Sequence, residues 1–375
     1  MSGRAWRLGR FFGINVYIDS SWIFIFLLVA WTLAVGYFPR SNPRWEQSTY
    51  WALGLATSLL FFLSVLVHEF CHSLVARAFG EKVDRITLFL FGGAAQMSAE
   101  PKTPKAEFLM TLAGPFSSFA LAALFGVLWA LSRPLSPAAA AVFYYLSIIN
   151  VGLGLFNLLP GFPLDGGRLL RSAIWAATGN LKLATKAAST VGQGVAFLLV
   201  MAGLLRLFTG SFLDGLWLMF IGWFLRNAAI SSYRQLILRE VMAEVYASQL
   251  MNRDFAPVSP DLTLSELVDR YIIQRHDHAY PVLEGGSLVG IICLHDVRKV
   301  PRDHWPTVTV RQVMTPAPDL QVVRTTDDGN TILARMAAKD VHQLPVLEDG
   351  RLVGMVSRND VVRFLQWQTE LGLYA

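Results

Sequence analysis

Six apolar stretches, each near the length needed to cross a bilayer, constrain this chain more than any other feature. A helix needs about 20 apolar residues to span the hydrocarbon core. The stretches run from Trp22 to Phe38, from about Tyr50 to Phe79, from about Phe108 to Leu131, from Ala138 to Leu159, from Val191 to Phe208 and from Phe212 to Ile230. No small-residue cleavage site follows the first, so it reads as a span and not as a signal peptide. Hydrophobic residues make up 54% of the chain and charged residues 16%, against about 25% charged in an ordinary soluble domain. That balance excludes a disordered tail, and two cysteines, Cys71 and Cys293, are too few for a disulfide-stapled module.

Charge divides the chain in two. Residues 1–240 carry 19 Lys+Arg and 10 Asp+Glu, whereas residues 241–375 carry 13 and 17. Arg4, Arg7 and Arg10 precede the first stretch, and Lys82, Arg85, Lys102 and Lys105 lie between the second and third. Arg168, Arg171, Lys182 and Lys186 lie between the fourth and fifth, and Arg226, Arg234 and Arg239 follow the sixth. The positive-inside rule then places both termini, and with them the acidic C-terminal half, in the cytosol of a multi-pass protein of the cell (inner) membrane. Reduced cysteines fit that compartment. Basic residues flanking spans account for the pI of about 9.3, so no nucleic-acid partner is expected. Residues 83–97 are apolar and then broken by Gly92-Gly93. They are too short to span as a helix and read as a strand pair or a re-entrant segment covered by protein.

Most acids of the membrane half fall in loops; Glu69 and Asp165 do not. Ionisable groups at membrane depth are costly and point to function. Glu69 belongs to His68-Glu69-x-x-His72 in the second stretch. Residues i and i+4 share a helix face, so both imidazoles can reach one ion, and neutral imidazole suits zinc. Glu69, one residue along, can take a proton from an attacking water. Catalytic zinc usually has three protein ligands, so a third must come from elsewhere. Asp165, in Asn157-Leu-Leu-Pro-Gly-Phe-Pro-Leu-Asp165-Gly-Gly-Arg168, is the candidate, at a helix end broken by Pro160 and Pro163. The plain alternatives are core histidines bonded to helix carbonyls and an Asp165 that caps the segment from Gly167.

Together these residues resemble the site-2 protease family of intramembrane zinc metalloproteases, over most of residues 1–235. The resemblance rests on His68-Glu69-x-x-His72, the Asn157-to-Gly166 motif, Phe91-Gly-Gly-Ala and Ala113-Gly-Pro115. It implies one Zn²⁺ per chain held by His68, His72 and Asp165, with Glu69 as general base. Asn157 would position the substrate carbonyl or stabilise its oxyanion. Gly92 and Gly93 would mark a strand-like loop against which an unwound substrate pairs. The implied substrate is another membrane protein with a single transmembrane helix. Two positions depart from the family pattern: Cys71, read as packing, and Ser117-Ser118, which stand where Asn is common.

The C-terminal half repeats itself. Residues 280–300 and 344–364 align at an offset of 64 with 10 of 21 positions identical. Each unit reads as a lead-in strand, a helix, a strand, a Gly turn, a strand and a helix, and two such units should pair. The tandem resembles cystathionine-β-synthase-type (CBS) domains, over about 245–368. Its nucleotide motif persists as Gly354-Met-Val-Ser357-Arg-Asn-Asp360, which implies Ser357 and Asp360 as contacts for ATP or AMP. The first unit has Cys293 in the hydroxyl position, so one competent site at most is expected. A structural repeat used for dimerisation is the alternative, and a homodimer or higher through the CBS domains is expected. His276-Asp-His278 reads as an exposed edge without a metal role.

The fold expected is an α-helical polytopic membrane domain over 1–235, with a short β or re-entrant segment, and a cytosolic α/β CBS-pair domain. A linker covers 236–249, and the repeats cover 250–304 and 308–370. The leading function is regulated intramembrane proteolysis by a zinc endopeptidase under adenine-nucleotide control. The alternatives are a CBS-gated transporter or channel and a catalytically inactive metal-binding membrane chaperone.

Overall fold

The computed structural model of the chain describes residues 5–90, 92–97, 101–275 and 278–371. Phe91, His276 and Asp277, singled out in the sequence, lie outside the described residues. The chain divides into two compact units, Met1–Arg234 and Gln235–Ala375.

Among the described residues, five helices of the first unit are long and apolar enough to cross a membrane: α1 (Ser20–Ser41), α2 (Gln47–Ala78), α3 (Pro104–Ser132), α4 (Pro137–Asn157) and, after the short α5 (Asp165–Thr178), α6 (Leu181–Phe208). The expected sixth stretch lies in α7 (Phe212–Ala243), which is not one of the five. Asp214, Arg226 and Asn227 dilute its apolar run. Local chemistry sets the starts. Asp19 accepts the Ser21 N–H, Thr103 accepts that of Ala106, Ser136 that of Ala139 and Asn180 that of Leu183, each satisfying an otherwise unpaired first-turn donor. Pro104 and Pro137 occupy first-turn positions, where the missing N–H costs nothing. Large apolar side chains such as Leu59, Phe116 and Phe197 face outward, as a lipid-facing surface requires.

A four-stranded sheet in the order β1-β2-β3-β4 accompanies the helices: β1 (Trp6–Phe11), β2 (Ile14–Ile18), β3 (Val83–Phe89) and β4 (Gly92–Met97). The expected strand pair is β3 with β4, antiparallel. β2 runs parallel to β3 on its other side, so both edges of β3 are paired. The β1–β2 hairpin is an addition to the sequence reading. Phe12 and Gly13 both have positive φ, at 49° and 78°, the conformation of a two-residue hairpin turn that matches strand twist. Ile14, Val16 and Ile86 bury one face of the sheet against Phe70 and Ala76 of α2 and Ala106 and Met110 of α3. The sheet therefore packs on the two helices that carry most of the candidate site.

The second unit holds two three-stranded sheets. One contains β5 (Ala279–Glu284), β6 (Ser287–Cys293) and β7 (Thr315–Pro316). The other contains β8 (Val323–Arg324), β9 (Gln343–Glu348) and β10 (Arg351–Ser357). Both hairpins turn on two residues with positive φ, Gly285-Gly286 and Asp349-Gly350. The sheets exchange their lead-in residues. Thr315 and Pro316, near the start of the second repeat, pair with β6 of the first. Asn252, from the first repeat, bridges Met355 of the second. Gly290 and Gly354 make room for the exchange: a Cβ on either would lie under 3 Å from the sulfur of Met314 or Met251 respectively. The stretch 236–249, expected as a linker, also belongs to this unit. Val241, Met242, Val245 and Ala247 are buried in the core of the second repeat with Ile332, Leu344 and Val356. Their apolar character explains the difference: such residues seek a core and do not make a solvated tether.

Candidate active site

α2 presents His68, Glu69 and His72 on consecutive turns, and the N-terminus of α5 presents Asp165. His68 Nε2 lies 3.1 Å from Asp165 Oδ2 and 3.1 Å from His72 Nε2, and His72 Nε2 lies 3.2 Å from Asp165 Oδ2. The three donors form a nearly equilateral triangle. His68 is buried, and the other two are partly buried.

Hydrogen bonds on the far side of the rings decide what this triangle can hold. His72 Nδ1 lies 2.8 Å from the Met110 carbonyl oxygen. A carbonyl only accepts, so Nδ1 carries the hydrogen and Nε2 of the neutral ring offers a lone pair. His68 Nδ1 lies 2.9 Å from Ser118 Oγ, which can accept in the same way. Two lone pairs and a carboxylate oxygen then converge, and a cation relieves their repulsion. Tetrahedral ligands about 2.1 Å from a common zinc ion stand about 3.4 Å apart, close to the spacing here. Two imidazoles and one carboxylate also match the donor chemistry of a catalytic zinc site. The residues present therefore fit the ion.

Glycines keep the space around these groups clear. A Cβ on Gly114 of α3 would lie 2.1 Å from His72 Nε2 and 2.6 Å from His68 Nε2. A Cβ on Gly93 of β4 would lie 2.3 Å from Glu69 Cγ, so the strand lies directly against the Glu69 side chain. Gly92 has φ of 127°, where a side chain is strained. In the sheet order β4 is an edge, and among the described residues no strand pairs with its outer side. Asn157 is the last residue of α4, partly buried, eight residues before Asp165. Cys71 is a free, partly buried cysteine.

Sequence reasoning missed two residues. Glu107 lies in the first turn of α3 and is fully buried, and it accepts a hydrogen bond from Arg171 Nε at 2.8 Å, with Arg168 Nε 3.6 Å away. The apolar stretch in the sequence starts at about Phe108, which leaves Glu107 just outside it. The usable signal was the i, i+3 spacing of Arg168 and Arg171, which gives one helix face two cations in need of an acid. Ser118 is the second, fully buried and bonded to His68. The sequence showed it only as a departure from a common asparagine.

In the second unit, Ser357 and Asp360 are bonded to each other. Ser357 Oγ donates to Asp360 Oδ2 at 2.6 Å, and the Ser357 N–H donates to the same oxygen at 2.9 Å. Ser357 lines a cleft of about 900 Å³ with Cys293, Asp296, Arg298, Lys339 and Arg358. Cys293 and Asp296 repeat the arrangement, with sulfur to carboxylate at 2.9 Å, but there Lys299 Nζ also holds Asp296 Oδ1 at 2.9 Å. Burial, then the Asp296 carboxylate, pushes the Cys293 thiol up. Burial also favours protonated Asp296, yet hydrogen bonds from Cys293 and Lys299 outweigh it and hold that carboxyl below its ordinary value.

Fold and site define a helical membrane protein with a metalloprotease-type donor set and a repeated α/β unit. The sequence model of peptidase family M50 matches residues 56–137 and 135–202, and that of the CBS domain matches 247–303 and 310–366. The Mycobacterium tuberculosis protein Rip3 is 34% identical over 362 residues, covering 96% of this chain and 92% of that one. Zinc metalloprotease MJ0392 of Methanocaldococcus jannaschii is 31% identical over 359 residues, covering 95% of each. A solved site-2 protease from the same archaeon is similar at 29% identity with a TM-score of 0.43, covering 61% of this chain and 95% of that chain. The chain belongs to peptidase family M50, the site-2 protease family of zinc metalloproteases, and carries tandem CBS domains.

Proposed function

We propose that this protein is an intramembrane zinc endopeptidase that cleaves transmembrane segments of other membrane-anchored proteins. The observation that carries the reading is the triangle of His68, His72 and Asp165, with Glu69 next to His68 on the same helix. His68, His72 and Asp165 would hold one Zn²⁺, which when bound supplies Lewis acidity for peptide hydrolysis. Glu69 takes the proton of the attacking water and delivers it to the departing amine. The Asn157 amide donates to the oxygen of the scissile carbonyl and stabilises the charge that develops there. A helical substrate hides its carbonyls in its own hydrogen bonds, so it must unwind before attack. The open edge of β4 at Gly92 and Gly93 offers the unwound segment backbone partners beside Glu69.

The reading extends to topology and control. α7 would complete six spans, with both termini and the CBS unit in the cytosol of the cell membrane. The cleft at Ser357 would take ATP or AMP, with Asp360 orienting the Ser357 hydroxyl, and pairing of CBS units between copies would make a dimer. A regulator acts only through its differential affinity for two states. Truncation before Gln235 that left cleavage unaltered at every ATP and AMP level would end the regulatory part.

Purified Glu69→Gln protein tests the core of the reading. It should retain one zinc per chain and lose cleavage of a membrane-anchored substrate. Cleavage at the parent's rate would remove Glu69 from the role of base.

A further inference from the structure

One face of α3 serves the whole metal-binding triangle. Glu107, Met110, Gly114 and Ser118 follow one another at spacings of three, four and four residues, the period of a single helix stripe. Glu107 holds Arg171 of the helix that begins at Asp165. The Met110 carbonyl accepts from His72, Gly114 leaves room for both imidazoles, and Ser118 meets His68.

The two histidines are anchored unequally. His72 faces a backbone carbonyl, which no substitution removes. His68 faces a side-chain hydroxyl, fully buried, 50 residues away in sequence. The neighbouring Ser117 spends its hydroxyl on its own helix, donating to the Gly114 carbonyl at 2.6 Å. Ser118 instead turns its oxygen to the imidazole. We infer that Ser118 is a positioning residue for zinc: by accepting the Nδ1–H of His68, it fixes the ring orientation and the tautomer whose Nε2 lone pair faces Asp165 and His72. Without that acceptor, the buried Nδ1–H is left unpaired and the ring is free to carry its hydrogen on Nε2, the wrong nitrogen for a ligand. The inference rests on the zinc reading given above.

The experiment is zinc competition against a chromogenic chelator, using the purified full chain in detergent, for the parent, S118A, S118T and S117A. The melting temperature of each metal-free protein is measured alongside. Loss of an outer hydrogen-bond partner typically weakens metal binding about 10- to 100-fold. S118A should show a weakening in that range. S118T, which keeps the hydroxyl, and S117A should bind as the parent does, and metal-free S118A should stay cooperatively folded, melting only slightly lower for its unpaired imidazole N–H. Parent-like zinc affinity in S118A overturns the assignment. So does an equal loss in S118T, or a metal-free S118A that no longer unfolds cooperatively, since either points to packing alone. A parent that takes up no zinc sinks the metal-centre reading itself, and the role of Ser118 with it.

Discussion

Asp165 Oδ2 stands 3.1 Å from His68 Nε2, although 97 residues separate them in the chain. The two histidines are local partners, set by one turn of α2. The carboxylate arrives by a long route through β3, β4, α3 and α4 and a loop, residues 158–164, with two prolines and one glycine. Gly161 in the loop and Gly166 and Gly167 in the first turn of α5 let the loop fold tightly against the helix start: a Cβ on Gly167 would lie 2.2 Å from the Gly161 carbonyl carbon, and one on Gly166 would lie 2.3 Å from the Leu158 oxygen.

Removing that carboxylate should empty the site. Asp165→Ala leaves two imidazoles, one ligand short of the three protein ligands usual for catalytic zinc. Metal analysis of the purified variant should fall from about one zinc per chain to near none, with cleavage abolished. A full zinc complement in this variant would show that another residue completes the site.

Gly114→Ala places a methyl group where the imidazole nitrogens meet. Overpacking of this kind costs about 1–3 kcal/mol, and here the groups displaced are the donors themselves. Zinc content should fall while circular dichroism stays helical. Retention of both zinc and activity would mean that α3 shifts freely, contrary to its packing against α2, α4 and α5.

Glu107 and Arg171 form a buried ion pair between α3 and α5. Breaking such a pair by deleting one partner costs about 3–5 kcal/mol, whereas replacing both with apolar residues is often neutral. Glu107→Ala should therefore lower the melting temperature, and the double variant Glu107→Leu/Arg171→Met should recover most of the loss. Equal melting of the single variant and the parent would contradict a structural role for the pair.

The CBS unit should lose stability in acid through Asp296. Its carboxyl is held below the ordinary value when folded, so the unfolded chain binds the proton more readily. The contribution of Asp296 is then complete above the unfolded value near 3.9, and it is lost as pH falls through the lower folded value. Asp296→Asn should be less stable than the parent at pH 6 by denaturant melts that follow this unit. The gap should close as pH drops below about 4. A gap unchanged at low pH would place the stabilisation elsewhere.

Much of this protein is legible without coordinates because its strongest signals are local. Five of the apolar runs of span length lie in helices long and apolar enough to cross a membrane. His68 and His72 share a face because four residues make about one helical turn. Two units at an offset of 64 identify themselves by comparison within the chain. Ser357 and Asp360 are likewise near neighbours, joined by a short hydrogen bond at a helix start.

What the sequence left open depends on which local pieces meet. Nothing near Ser118 in the chain points to His68, and nothing near Glu107 points to Arg171, 64 residues on. The short β1 hairpin becomes meaningful only when Ile14 and Val16 pack against α2 beside Ile86. The stretch 236–249 looks like a tether until Met242 is found buried against the second repeat, and Met251 and Met314 cross to the opposite repeat's glycine. Residue spacing fixes periodicity and therefore faces; only packing in three dimensions fixes which faces touch, because burial is non-directional and many pairings would satisfy the same pattern. By itself the sequence determined five of the spans, the two histidines with their acid, and the repeat. The tertiary structure alone decided the face of α3 that holds them in register.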